Sequence, residues 1–277
     1  MSQDTPALPI RTLRPLQPLR WLALGWRDLT RCGSVSLAHG FALTLFGQLL
    51  LWVGHQQFWL LAGAFSGLLV VGPVVATGLY ALSHAMERGE PANRRLVLRT
   101  WLSWRRHGPQ GGKDWRLVRF GLLLGLAGTG WVLTSAALIT LLSGEPITRP
   151  LDFLVYIVLG RDHLLFELWL ALGGIMAAPI FASSVVALPL MLDRRVSVMQ
   201  AVTTSWDCVL TNPGVMAFWA TLILGLTFLG MVTALLGLII VMPVLGHASW
   251  HAYRDLVDAS AWPERTAVPS TTPSSAQ

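Results

Sequence analysis

Charge is scarce in this sequence. Asp, Glu, Lys and Arg supply 12% of its 277 residues, about half the share of an ordinary soluble domain. Hydrophobic residues reach 53%, and the mean hydropathy is +0.57. That balance, with the apolar residues gathered in long runs, excludes a soluble fold and points to a polytopic membrane protein. Cysteine is nearly absent, and Cys32 and Cys208 make no disulfide framework. No G-x-x-x-x-G-K-S/T occurs, which excludes that phosphate loop. The first 31 residues hold five arginines but no compact apolar run before a cleavage site, so no cleaved signal peptide is expected.

What is present is apolar length. A span needs about 20 mainly apolar residues at roughly 1.5 Å each. Five stretches qualify: about 34–54, 58–83, 119–142, 164–191 and a run from Gly214 to about Tyr253. The last is too long for one crossing and must fold back, with Gly230 and Gly237 flanking the expected turn. The expected fold is therefore all-α, with six transmembrane helices and both termini on one side. The basic residues choose that side. Eighteen of the twenty fall in the N-terminal arm, in 84–119, and after the fourth and sixth spans; only Arg149 and Arg161 lie opposite. Under the positive-inside rule the termini are cytoplasmic. The same bias accounts for the basic pI of about 10.3, so the expected partners are a bilayer with an anionic inner leaflet and other membrane proteins, not nucleic acid.

A threefold repeat is expected behind the spans. The even-numbered spans each place a proline near the middle, Pro73, Pro179 and Pro243, and then reach charges at Glu87-Arg88, Asp193-Arg194 and Arg254-Asp255. The segments before the odd spans read as surface helices. In 93–106, Val97, Trp101 and Trp104 share one face, and Arg95, Arg99 and Arg106 the other, as suits a helix in the headgroup layer. The units are then a surface helix plus a membrane hairpin, within 17–258. Residues 1–16 are expected as a flexible arm, and the polar stretch 259–277 as a disordered tail.

Several stretches resemble a family of bacterial integral membrane proteins, the domain of unknown function 2189. They are GWRDL at 25–29, VGPVVATGLYALSHAMERGEP at 71–91, PLMLDRRVSVMQAVTTSW at 189–206, NPGVMAFWA at 212–220 and GHASWHAYRDLV at 246–257. The resemblance spans about 20–258. It implies a multi-pass inner-membrane protein and carries no catalytic residues with it.

Chemistry has few candidates. His247 and His251 lie one turn apart, and His39 and His84 fall near the same charged boundary. Four histidines converging there would hold a metal or haem. Their spacing is a generic i,i+4 with no acidic residue between, and the sequence favours wet histidines at the membrane rim. No cofactor is assigned. Glu167 is the one acid within an expected span, and it sits at the outer headgroup layer. Gly63 with Gly67, and Gly121 with Gly125, are spaced for close helix packing. The tryptophans, Trp52 and Trp59 outside and Trp21, Trp26, Trp101 and Trp104 inside, read as an interfacial belt. The leading expectation is a non-enzymatic scaffold or assembly factor. The alternatives are a small-solute channel or transporter, and a haem- or metal-binding protein.

Overall fold

A computed structural model describes residues 10–54, 75–102, 114–160, 163–260 and 262–265. It is helical throughout, with two isolated antiparallel bridges, Ile10 to Val257 and Arg194 to Glu264. The elements are α1 (Gln17–Cys32), α2 (Ser34–Gly54), α3 (75–87), α4 (Arg94–Trp101), α5 (Arg116–Leu142) and the short α6 (Pro150–Asp152), which continues as a π-helical turn. Then follow α7 (Leu164–Ser184), α8 (Ala187–Asp193), α9 (Val198–Thr211), α10 (Pro213–Val232) and α11 (Leu238–Leu256).

Among the described residues, four segments are long and apolar enough to cross a membrane: Ser34–Gly54, Arg116–Leu142, Leu164–Asp193 and Pro213–Val232. Most of the expected span 58–83 lies outside the described residues, and with it Pro73, Gly63, Gly67 and Trp59. The sixth expected span is α11, whose second half carries His247, His251, Arg254 and Asp255 and is correspondingly less apolar.

The fold-back is where the glycines placed it. α10 stops at Val232 and α11 starts at Leu238. Ala234 and Leu235 take positive φ, 52° and 67°, a conformation costing an L-residue about 1–2 kcal/mol. Neighbours hold the turn. Thr44 donates to the Leu235 carbonyl at 3.1 Å, and Gln48 donates to that of Ala234. A side chain on Gly237 would meet Gly230 Cα at 2.9 Å, so the two helices touch across the turn.

The fourth apolar run, 164–191, breaks in two. α7 ends at Ser184, and α8 begins at Ala187 with Pro189 in its first turn. Proline has no N–H to continue the ladder and fits best in a first turn, where that N–H would have no helical partner. The Val186 N–H left at the break donates to Ser205 Oγ of α9 at 3.1 Å.

α11 is the axis of the core. Its buried residues run from Leu238 to Leu256, and α1 and α2 lie along it. Glycines permit the approach. A Cβ on Gly25 of α1 would lie 2.5 Å from the Val244 carbonyl, and one on Gly40 of α2 would lie 2.2 Å from that of Ile239. Aromatic side chains fill the space between. Trp21 meets Trp219 edge-on at 5.5 Å, and Trp250 stacks on His84 at 4.8 Å. Trp21 is therefore a core residue and not part of an interfacial belt, because α1 turns that face toward α11. Trp26 and Trp52 are exposed, whereas Trp104 lies outside the described residues.

α4 has the expected amphipathic form as far as it is described. Asn93 caps it, accepting from the Leu96 N–H, Val97 is buried, and Arg95 and Arg99 are exposed. The described ends of the chain are docked, where the sequence pointed to a loose arm and tail. Arg11 N–H donates to the Leu256 carbonyl at 2.9 Å, and Asn212 accepts from Leu13 N–H at 2.8 Å. At the other end, Arg88 pairs with Glu264 at 2.7 Å and Arg265 with Asp114 at 2.9 Å. The polar composition of 259–265 hid these ion pairs.

Candidate functional site

The second half of α11 carries histidines into the core. His247 is 0% exposed and His251 6%, so the wet-rim reading of the sequence is corrected. The cause is the packing of α1, α2 and α3. An amphipathic helix expected to lie on the surface packs along α11 instead, with Gly25 at the contact, and brings Asp28 to His251, while α2 and α3 close on His247.

The rings meet three helices. Ser36 Oγ of α2 lies 2.8 Å from His247 Nε2, and Ser83 Oγ of α3 lies 2.7 Å from His247 Nδ1. Ser83 donates its proton to Asp28 Oδ2 of α1 at 2.8 Å. Its oxygen must then accept from His247 Nδ1–H, which in the neutral ring leaves Nε2 to accept from Ser36. The hydrogen bonds thus run one way: Ser36 to His247 to Ser83 to Asp28. His251 Nε2 donates to the same Asp28 oxygen at 2.7 Å. Burial pushes the Asp28 carboxyl up, but the hydrogen bonds from His251 and Ser83 outweigh it and hold the group below its usual range.

From His251 the cluster reaches the surface. Its Nδ1 lies 3.7 Å from Glu87 Oε1, and Glu87 pairs with Arg254 at 3.3 Å. A second buried carboxylate, Asp193 at the end of α8, accepts from Tyr253 OH at 2.6 Å and pairs with Arg194 at 3.0 Å. His84 Nε2 stands 3.7 Å from its other oxygen. The charged residues expected only to end helices thus tie α3, α8 and α11 together.

The four candidate histidines divide among different partners. His247 and His251 belong to the Asp28 cluster, and His84 to Asp193. His39 Nδ1 donates to the Val35 carbonyl at 2.9 Å, with the ring edge-on to Trp101. Among the described residues, no group of three or more His, Cys, Asp or Glu is placed to hold a metal ion. Glu167 is exposed in the first turn of α7.

Sequence reasoning missed Asp28, Ser36, Ser83 and Tyr253. A signal was there. Asp28 lies in GWRDL, Ser83 and Glu87 in ALSHAMERGEP, Asp193 in PLMLDRR, and His247, His251 and Tyr253 in GHASWHAYRDLV. The stretches that carried the family resemblance meet at this one place. The remaining stretch, at 212–220, supplies Asn212 and Trp219 to the neighbouring core.

No curated protein and no solved structure matches the chain. The motifs at 25–29, 212–220 and 246–257 fall outside the segment that a known family covers. Residues 60–193 match the family described as predicted integral membrane protein (DUF2189), and the chain is an integral membrane protein.

Proposed function

We propose that the chain is a non-enzymatic scaffold or assembly factor of the bacterial inner membrane. It has six spans in three units of surface helix plus hairpin, and both termini are cytoplasmic. The carrying observation is that five buried polar residues satisfy one another: Asp28, Ser36, Ser83, His247 and His251 clamp α1, α2, α3 and α11 into one body. Outward, α5, α7 and α10 present leucines such as Leu126, Leu170 and Leu224, each more than half exposed, for lipid or another protein's helices to cover. The turn at 233–237 supports the sixth span, and the order of amphipathic α1, α4 and α9 ahead of apolar helices supports the repeat. The arginine bias supports the orientation.

The test is purification from native membranes after cross-linking. A stoichiometric membrane-protein partner is expected, and its recovery should fall in Leu170→Ala/Leu224→Ala while thermal unfolding stays unchanged. Recovery of the chain without such a partner overturns the reading.

A second reading, a proton-coupled transporter of small solutes, is favoured by the single direction of the Ser36-to-Asp28 chain, because buried ionisable groups in membrane proteins commonly mark ion pathways. Proton flux into proteoliposomes that Asp28→Asn abolishes would establish it. The haem or metal reading has less support, since both ring nitrogens of His247 are engaged by serines.

A further inference from the structure

We propose that the cavity between α2 and α4 binds one acyl chain of an anionic phospholipid, whose phosphate rests at Arg94. The cavity has a volume of about 460 Å³, within the range of ligand sites. Ala38, Ala42, Leu43 and Phe46 of α2 form one wall, and Val97 and Leu98 of α4 the other. Such walls recognise hydrocarbon and nothing more polar. The site becomes selective through charge. Arg94 lines the cavity and is exposed, as are Arg95 and Arg99 on the same short helix. No acidic side chain among the described residues pairs with any of the three. A cluster of arginines on an interfacial helix attracts anionic headgroups.

His39 and Trp101 complete the lining. Their buried ring nitrogens, His39 Nε2 and Trp101 Nε1, face Gly78 of α3, so the lipid is held by the apolar walls and by Arg94.

The experiment is native mass spectrometry of the full chain in detergent with dioleoyl phosphatidylglycerol or dioleoyl phosphatidylcholine. Wild type should retain one phosphatidylglycerol about fivefold better than phosphatidylcholine, the scale of one arginine at an anionic headgroup. Arg94→Gln should remove that preference. Ala42→Trp or Ala38→Trp, both at exposed positions of α2, should fill the cavity and abolish retention of either lipid. Equal retention of the two lipids by wild type overturns the proposal, as does undiminished retention in a tryptophan variant that unfolds at the wild-type temperature. Brominated-chain phosphatidylglycerol gives a readout that does not fill the site. Its fluorescence quenching should include an increment that Trp101→Phe lacks, and identical quenching of the two proteins also counts against the site.

Discussion

His251 Nε2 lies 2.7 Å from Asp28 Oδ2, across 223 residues of chain. This contact joins the first described helix to the last, with both groups buried. Removing Asp28 leaves the buried Ser83 hydroxyl and His251 Nε2–H without their acceptor, and each buried unsatisfied group costs about 1–3 kcal/mol. Asp28→Ala should therefore lower unfolding stability in detergent by that order. With His251→Gln it should show a coupling of about 0.5–3 kcal/mol in a double-mutant cycle. Strict additivity would mean that the hydrogen bond contributes nothing.

Replacing His247 and His251 together with Gln should lower the melting temperature, because Gln cannot reproduce the two-sided bridge of His247 between Ser36 and Ser83. A chelator added to wild type should leave the melting temperature where it was. A chelator-dependent loss would instead reveal a metal adding to native-state stability.

Acid should weaken the docking of the C-terminal segment. A hydrogen bond from Arg116 is the main force on the Asp114 carboxyl; burial opposes it, Arg265 reinforces it, and the pKa falls from 3.8 to about 2. A folded-state pKa below the unfolded one gives stability that is present above about pH 4 and lost as pH falls toward 2. The difference in melting temperature between wild type and Asp114→Asn should stay constant above pH 5 and narrow below pH 4. A difference that widens in acid contradicts the assignment. Asp28, also held low, obeys the same sign.

Glycine substitutions separate contact from propensity. Gly130 has open space around its would-be Cβ, while Gly40 and Gly25 face carbonyl oxygens of α11. Gly130→Ala should be neutral or stabilising by up to about 1 kcal/mol. Gly40→Ala must move backbone, so it should destabilise by about 1–3 kcal/mol or more. Equal effects at both positions would show that α2 and α11 are not in close contact.

Reporter fusions test the orientation. Those after residues 30, 110, 200 and 260 should report cytoplasm, and those near 56, 150 and 234 the periplasm. A cytoplasmic signal at 234 would leave α10 and α11 on one side and remove the sixth span.

The runs of apolar residues made the spanning helices legible, and Gly230 with Gly237 made the turn legible, because length and glycine placement are local properties. The i,i+4 spacing of His247 and His251 was visible as well, but not its environment. Burial of those rings depends on α1, whose arginines and tryptophans read locally as a surface helix. Only Pro18, Trp21, Gly25, Asp28 and Leu29 turn inward, and nothing in that short pattern says that the covering partner is more than 200 residues away. Asp193 and Tyr253 were hidden for the same reason. Asp193 ends a helix that reads as wet, yet Arg265 N–H reaches its carbonyl; Tyr253 is covered by Trp250 and by its hydrogen bond to Asp193.

The docking of α11 between α1 and α2 also sets a schedule for biosynthesis. While the ribosome is still making residues 33–246, Asp28 has neither histidine to meet, and the groove that will receive α11 stands open. The early helices must therefore wait, half assembled, for the last one to leave the translocon. A chain truncated before His247 keeps the four strongly apolar segments found among the described residues, yet its Asp28 is left to Ser83 and Arg27, with no histidine to meet.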